Sequence, residues 1–71
     1  MSATYKYITI EESDGDYHVR NRKSGSLLGM IEWYPSWRQW VFVTESSALW
    51  SWDCLRDISE FMRQLPKRGE K

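Results

Sequence analysis

The side chains with the clearest chemical potential in this chain are aromatic rings and arginines that recur between residues 5 and 42. Aromatic rings stack on nucleic-acid bases, each worth about 1–3 kcal/mol, while arginines hold the phosphates. Trp, Tyr and Arg also dominate the energy of protein–protein contacts. The same residues could instead form a structural cluster in which arginine stems cover tryptophan rings. The candidate binding residues are Tyr5, Tyr7, Arg20, Arg22, Ile31, Trp33, Arg38, Trp40 and Phe42.

Residue types that carry out catalysis or bind metals are isolated in this sequence. His18 is the single histidine and Cys54 the single cysteine, so neither has a second residue of its kind as a partner. The acidic residues around Asp14 lack the spacing of a calcium-binding loop. We therefore expect a protein that is not an enzyme and that has no cofactor and no bound metal.

Length and charge narrow the classes of function further. A chain of 71 residues is expected to form one domain, spanning residues 1–71. Its ten basic and ten acidic side chains give a net charge of zero, which argues against a general nucleic-acid binder. A single cysteine excludes an internal disulfide and favours a reducing cytoplasm. No apolar run reaches the roughly 20 residues of a membrane span, so we expect a cytoplasmic protein without membrane contact.

Segments rich in β-branched and aromatic residues predict an antiparallel sheet. Four strands are expected, over residues 5–11, 16–22, 27–33 and 38–44. The turns between them are predicted at Asp14-Gly15, Ser24-Gly25 and Pro35-Ser36. The first turn has the strongest signal, because both of its residues tolerate positive φ.

A C-terminal helix is predicted over residues 52–65, with Ser51 as a plausible N-cap and Pro66 as the residue that ends it. Apolar residues at helical spacing define the face that it buries. These are Leu55, Ile58, Phe61, Met62 and Leu65. The tail is assigned to residues 66–71. The fold class is therefore α+β, a four-stranded antiparallel β-meander with one C-terminal helix packed on one face.

The predicted turns fix which residues share a face, because directly opposed residues of antiparallel strands lie on the same side. The face that we expect the helix to cover is aliphatic. It contains Ile8, Ile10, Val19, Leu28, Met30, Val41 and Val43. The opposite face would then carry the aromatic and arginine candidates together. A β-bulge in any hairpin would shift one strand and mix the two sets.

The pattern LGxIxWYPxWRQxxF, starting at Leu28, and the pattern CLxDIxxF, starting at Cys54, resemble a group of short uncharacterised proteins of bacteria and their phages. The resemblance covers residues 28–65 and implies a bacterial or phage origin. It implies no known activity, so no functional residue is carried over from it. The layout of four strands and a helix is also similar to that of transcription-coactivator-type single-strand DNA binders, by architecture alone.

Two functions of different class follow from these observations. The first is a small non-catalytic binding module, a bacterial or phage accessory protein that acts through protein–protein contacts on the aromatic and arginine face. Its partner is a different protein or a second copy of the chain in a homodimer. The second is single-stranded nucleic-acid binding by the same face. The solution mass and the binding of oligonucleotides at two salt concentrations would separate these alternatives.

Overall fold

A computed structural model describes residues 2–68 as one antiparallel sheet and one helix. The elements are β1 (Ala3–Thr4), β2 (Ile8–Ser13), β3 (Asp16–Asn21), β4 (Leu27–Tyr34), β5 (Gln39–Thr44) and α1 (Trp52–Arg63). The strands are ordered β1-β2-β3-β4-β5, so each pairs with its neighbours in the sequence. The α+β class and the C-terminal helix are confirmed.

The sheet has five strands, and the prediction of four was wrong. The chain turns after β1, where the backbone N–H of Tyr5 donates to the carbonyl of Ile8 at 2.8 Å. This turn folds β1 back on β2 and places Ala3 opposite Ile10. A two-residue strand is too short to show an alternation of polar and apolar residues. Only the strand over residues 5–11 was therefore predicted in this part of the chain.

The β2–β3 hairpin has the turn that its sequence predicted. Asp14 and Gly15 have φ values of 52° and 88°, and Ser13 lies opposite Asp16. Two central residues with positive φ match the right-handed twist of the flanking strands.

The β3–β4 pair contains a β-bulge that changes which face of the sheet the later residues occupy. Its loop is closed by a hydrogen bond from the backbone N–H of Asn21 to the carbonyl of Ser26, and Arg20 lies opposite Leu27. The next residue of β3, Val19, lies opposite Gly29, so Leu28 is an extra residue in β4. One extra residue reverses the side of the sheet toward which every following side chain points.

The reversal corrects the predicted core. Ile31 has no exposed surface and packs against the helix, whereas Val43, which we expected inside, is 51% exposed. Met30 and Val41 lie on the same side of the sheet as Val43, the face opposite the helix. We call this the open face. The buried core consists of Ile8, Ile10, Tyr17, Val19, Ile31, Ile58, Phe61 and Leu65.

The β4–β5 hairpin keeps the predicted grouping of its residues by face, although its pairing is shifted by two residues. Tyr34 lies opposite Gln39, so the loop contains residues 35–38 and is longer than the predicted two-residue turn. The resulting two-residue change in register leaves side chains on the same face. Trp33 therefore lies opposite Trp40 rather than opposite Arg38, where the predicted two-residue turn would have placed it, and both rings lie on the helix side.

The helix begins where expected and ends early. The Ser51 side chain accepts a hydrogen bond from the Cys54 backbone N–H at 3.3 Å, and the last helical residue is Arg63. Residues 64–68 then pack back on the sheet, where the Trp40 indole N–H donates to the Pro66 carbonyl at 3.0 Å. Residues 69–71 of the predicted tail lie outside the described residues. Within residues 2–68, the helix is too short to cross a membrane.

Candidate binding groove

The aromatic and arginine candidates do not share one face, which corrects the interaction surface predicted from the sequence. Arg20 lies on the open face, opposite Leu27 of β4. Ile31 and Phe42 lie opposite each other on the helix side. The bulge at Leu28 separates them, because it reverses β4 and β5 relative to β3.

Three candidates lie at the end of the sheet where β1 meets β2. Tyr5 packs against the core, and its backbone carbonyl accepts a hydrogen bond from the Arg22 guanidinium at 3.1 Å. Tyr7 is 48% exposed and, with Arg22, lines a shallow pocket that also contains Lys6 and Lys23. This end of the molecule is basic, and it is separate from the aromatic residues of β4 and β5.

The remaining candidates line one groove between α1 and the β4–β5 hairpin. Its volume is about 500 Å³, which lies within the range of about 300–1,000 Å³ typical of ligand pockets. Trp33, Trp40 and Phe42 contribute aromatic rings from the sheet, and Arg38 contributes a cation from the loop before β5. The helix contributes the apolar side chains of Leu55 and Met62, and the cations Arg63 and Lys67 complete the rim.

The aromatic floor of this groove is held in place. Trp33 and Trp40 pack edge to face with ring centroids 5.7 Å apart, and Tyr17 packs against Trp40 at the same distance. The hydrogen bond from the Trp40 indole to Pro66 fixes the second ring further. A rigid aromatic surface loses little conformational entropy on binding, so it is suited to receive an apolar group.

The rim carries positive charge without acidic neighbours in the lining. Arg38, Arg63 and Lys67 contribute the charge, and the lining residues described for the groove include no Asp or Glu. None of the three cations forms an ion pair within the described range 2–68. The groove is therefore an electropositive site on a protein whose net charge is zero.

The acidic residues of α1 lie on its other flank. Asp53, Asp57 and Glu60 follow one another at helical spacing. Burial, and then the charges of Asp57 and Glu60, raise the pKa of the Tyr5 hydroxyl, so this flank lies near the β1 end of the sheet. Arg56 pairs with Asp53 and Asp57 on this flank, and the groove side of the helix carries a cation without a carboxylate beside it in the described lining.

The sequence did not indicate that residues of the helix and of the segment after it belong to this site. Leu55 and Met62 were placed in the core, yet Leu55 is 47% exposed. Arg63 was assigned to the end of the predicted helix and Lys67 to the predicted tail, and neither was assigned to the binding surface. Part of the signal was present in the spacing, because Leu55, Ser59 and Arg63 recur every four residues along a helical stripe without acids.

The arrangement offers binding chemistry. Apolar rings can cover an apolar group, and the cations of the rim can bind an anion beside it. Among residues 2–68, no three His, Cys, Asp or Glu side chains are grouped to hold a metal ion. Comparison with protein families, with curated proteins and with solved structures finds no significant match to this chain.

Proposed function

We propose that this protein is a small non-catalytic binding module whose groove holds a segment of a partner protein. In this proposal an apolar side chain of the partner packs on Trp33 and Trp40, and carboxylates next to it contact the rim cations. The observation that carries the proposal is the combination of a fixed aromatic floor with three cations and no acid in the described lining.

Exposed apolar residues at the start of the helix and just before it support a protein partner. Trp52 is 71% exposed, one helical turn before Leu55. Leu49, in the segment that leads into the helix, is 93% exposed. Large exposed apolar side chains near a pocket are typical of protein-interaction sites.

The charge at the far end of the groove disfavours a long polyanion. Arg68 stacks over the Trp40 ring at 5.6 Å and pairs with the Asp16 carboxylate at 3.7 Å. Asp14 lies in the same hairpin turn. A short acidic segment fits between these carboxylates and the rim, whereas a long nucleic acid would meet repulsion there.

The test uses two short peptides of matched size. We expect acetyl-Phe-Glu-Glu-Glu-amide to shift the indole N–H resonance of Trp33 in a titration followed by NMR. Acetyl-Phe-Lys-Lys-Lys-amide should not shift it, because the rim is cationic. Equal responses to the two peptides, or no response to the acidic one, would refute the proposed groove function.

Charge reversal at the rim locates the binding site. Arg63→Glu and Lys67→Glu should each weaken binding of the acidic peptide about three- to tenfold. The matched control is Lys23→Glu, which makes the same change in net charge at the basic end of the sheet, away from the groove. If Lys23→Glu weakened binding as much as Arg63→Glu, only net charge would be responsible.

Single-stranded nucleic acid is the second candidate, favoured by the position of Arg38 beside Trp33 in the groove. A base stacked on Trp33 should quench tryptophan fluorescence, and binding should weaken as salt rises. Trp33→Ala should then cost about 1–3 kcal/mol of binding free energy to a short oligothymidine. Because acidic residues flank the groove, the site should span only a few nucleotides. Absence of quenching at low ionic strength would exclude this candidate.

The bacterial or phage origin, the role as an accessory factor and the cytoplasmic location stay predictions from the sequence. Self-association as a homodimer also belongs to this proposal. Its measurement is the molar mass in solution at several protein concentrations.

A further inference from the structure

Strand β5 ends the sheet with backbone groups that have no strand beside them in the described part of the chain. The backbone N–H of Glu45 donates to the carbonyl of Leu28, so every second residue of β5 bonds to β4. The residues between them direct their N–H and C=O groups away from β4. These outward residues are Trp40, Phe42 and Thr44.

The sequence of β5 is typical of an interior strand. Its residues, QWVFVT, include no charge and no proline, although natural edge strands usually carry one or the other. Trp40 and Phe42 lie on the helix side, while Val41 and Val43 lie on the open face. Strands that are apolar on both sides are usually covered on both sides by neighbours.

The opposite edge of the sheet shows how this fold limits exposed backbone. Strand β1 contains only Ala3 and Thr4, so it presents few unpaired groups. A short edge strand is one of the recognised protections against edge-to-edge pairing. Strand β5, with six residues, lacks that protection.

The charges at the two ends of β5 indicate which strand fits beside it. Arg38 precedes the strand and Glu45 follows it, and neither forms an ion pair within residues 2–68. Antiparallel pairing of two β5 strands places Arg38 of each copy at the same end of the joined strands as Glu45 of the other, with Arg38 on the helix side and Glu45 on the open face. Parallel pairing would place like charges together, so the strand is complementary to an antiparallel copy of itself.

We infer that two copies of this chain associate by antiparallel pairing of β5 with β5. In the register that pairs all the outward groups, Phe42 lies opposite Phe42 of the second copy and Trp40 lies opposite Thr44. Val41 then lies opposite Val43 on the open face. The two five-stranded sheets become one continuous sheet with both helices on the same side. This inference does not depend on what occupies the groove.

The first test measures molar mass by sedimentation equilibrium as a function of protein concentration. The wild type should shift from monomer to dimer over the micromolar range. Val43→Lys should abolish the dimer, because a lysine on an edge strand opposes pairing. The control Thr9→Lys places the same charge on the open face in β2, away from this edge, and should leave the dimer intact. A monomeric wild type at millimolar concentration, or a dimer unaffected by Val43→Lys, would overturn the inference.

A charge swap tests the orientation of the strands. Arg38→Glu and Glu45→Arg should each weaken dimerisation about two- to threefold, since each places like charges at the same end of the joined strands twice in the dimer. The double variant with both changes should restore the wild-type affinity. Failure of the double variant to recover would exclude antiparallel pairing of β5.

Amide hydrogen exchange tests the pairing of β5 with β5 in the wild-type protein, without any substitution. The N–H groups of Val41 and Val43 face β4 and should be protected at all concentrations. The N–H of Phe42 should exchange rapidly in dilute protein and become protected at least tenfold when the dimer forms. Concentration-independent exchange at Phe42 in a sample of dimeric mass would place the interface elsewhere.

Discussion

The β2–β3 hairpin has one apolar face, whereas the β4–β5 hairpin is largely apolar on both faces, with Glu32 as the charged residue of its open face. In β2 and β3, Ile10 and Val19 point toward the helix. The alternate residues of both strands, such as Glu11 and Arg20, are polar and point to the open face. In β4 and β5, Ile31 lies inside and Met30, its neighbour, lies on the open face. A strand with two apolar faces can bury either of them, so its orientation must be set by something other than its pattern.

A single residue sets which face of β4 is buried. Leu28 has no partner in β3, and this bulge reverses β4 and, with it, β5. Where one face is polar, a register shift of one residue would bury charges and is strongly disfavoured. Where both faces are largely apolar, as in β4 and β5, the shift costs less in burial, and local geometry around Leu28 and Gly29 then decides between the faces.

The same ambiguity has functional consequences in the β4–β5 hairpin. The residues that are not needed for the core remain available on both sides. On the helix side, Trp33 and Trp40 extend beyond the core and form the floor of the groove. On the open side, Val43 is half exposed beside the unpaired edge of β5. The β2–β3 hairpin, by contrast, offers no comparable apolar surface in the described structure.

The largest expected effect distinguishes the two faces of β4 directly. Ile31→Ala should lower the free energy of unfolding by about 2–5 kcal/mol, because Ile31 is fully buried against the helix. Met30→Ala, the matched change on the open face, should cost less than about 1 kcal/mol. Urea unfolding followed by tryptophan fluorescence measures both. The opposite ranking would mean that β4 buries the face predicted from the sequence and that the bulge is absent.

Most of the local structure was predictable because short-range signals determine it. Asp14-Gly15 accounts for the first hairpin, and Ser51 accounts for the start of the helix. That Trp33 and Trp40 share a face was also predictable, since a loop longer by two residues changes their pairing but preserves the face.

The orientation of the second hairpin and the groove were not predictable from the same signals. Leu28 looks like an ordinary strand residue, and nothing in its side chain marks a bulge. The candidates Trp33, Arg38, Trp40 and Phe42 do come together, but in a groove against the helix rather than on an open face. Arg20, Arg22, Tyr5 and Tyr7 lie elsewhere, because their positions depend on the bulge and on the unexpected strand β1.

The second prediction tests the close contact that holds the reversed hairpin together. A Cβ atom on Gly29 would lie 2.7 Å from the Phe42 ring and 2.7 Å from the backbone oxygen of Val43. Gly29→Ala should therefore cost about 1–3 kcal/mol of stability through overpacking. In the Phe42→Leu background the cost should be smaller, since part of the clash is removed. Equal costs in both backgrounds would assign the effect to the backbone oxygen alone.

The third prediction compares the turns on either side of β3. Gly15 and Gly25 both have positive φ, at 88° and 79°. An alanine at either position should cost about 1–2 kcal/mol because of the left-handed backbone. Gly15→Ala also displaces the Arg68 guanidinium, which lies 2.7 Å from the added Cβ, whereas Gly25→Ala meets nothing within 4 Å. The extra cost at Gly15 should not exceed about 1 kcal/mol, because the Arg68 contacts are largely exposed.

The smallest effect concerns Tyr17, the residue of the first hairpin that packs against the second through Trp40. Burial, and then the Glu12 carboxylate, raise the pKa of the Tyr17 hydroxyl above its ordinary value of 10.0, while Arg68 lowers it. The unfolded chain therefore loses this proton at lower pH than the folded protein does. The contribution to stability is complete below pH 10 and is lost as pH rises through the folded-state pKa. Tyr17→Phe should remove part of this alkaline loss, measured as a shallower fall in the urea midpoint above pH 10, with little change at neutral pH. An unchanged slope would mean that the Tyr17 hydroxyl titrates alike in the folded and unfolded chain, and that its contact with Trp40 leaves the hydroxyl in water.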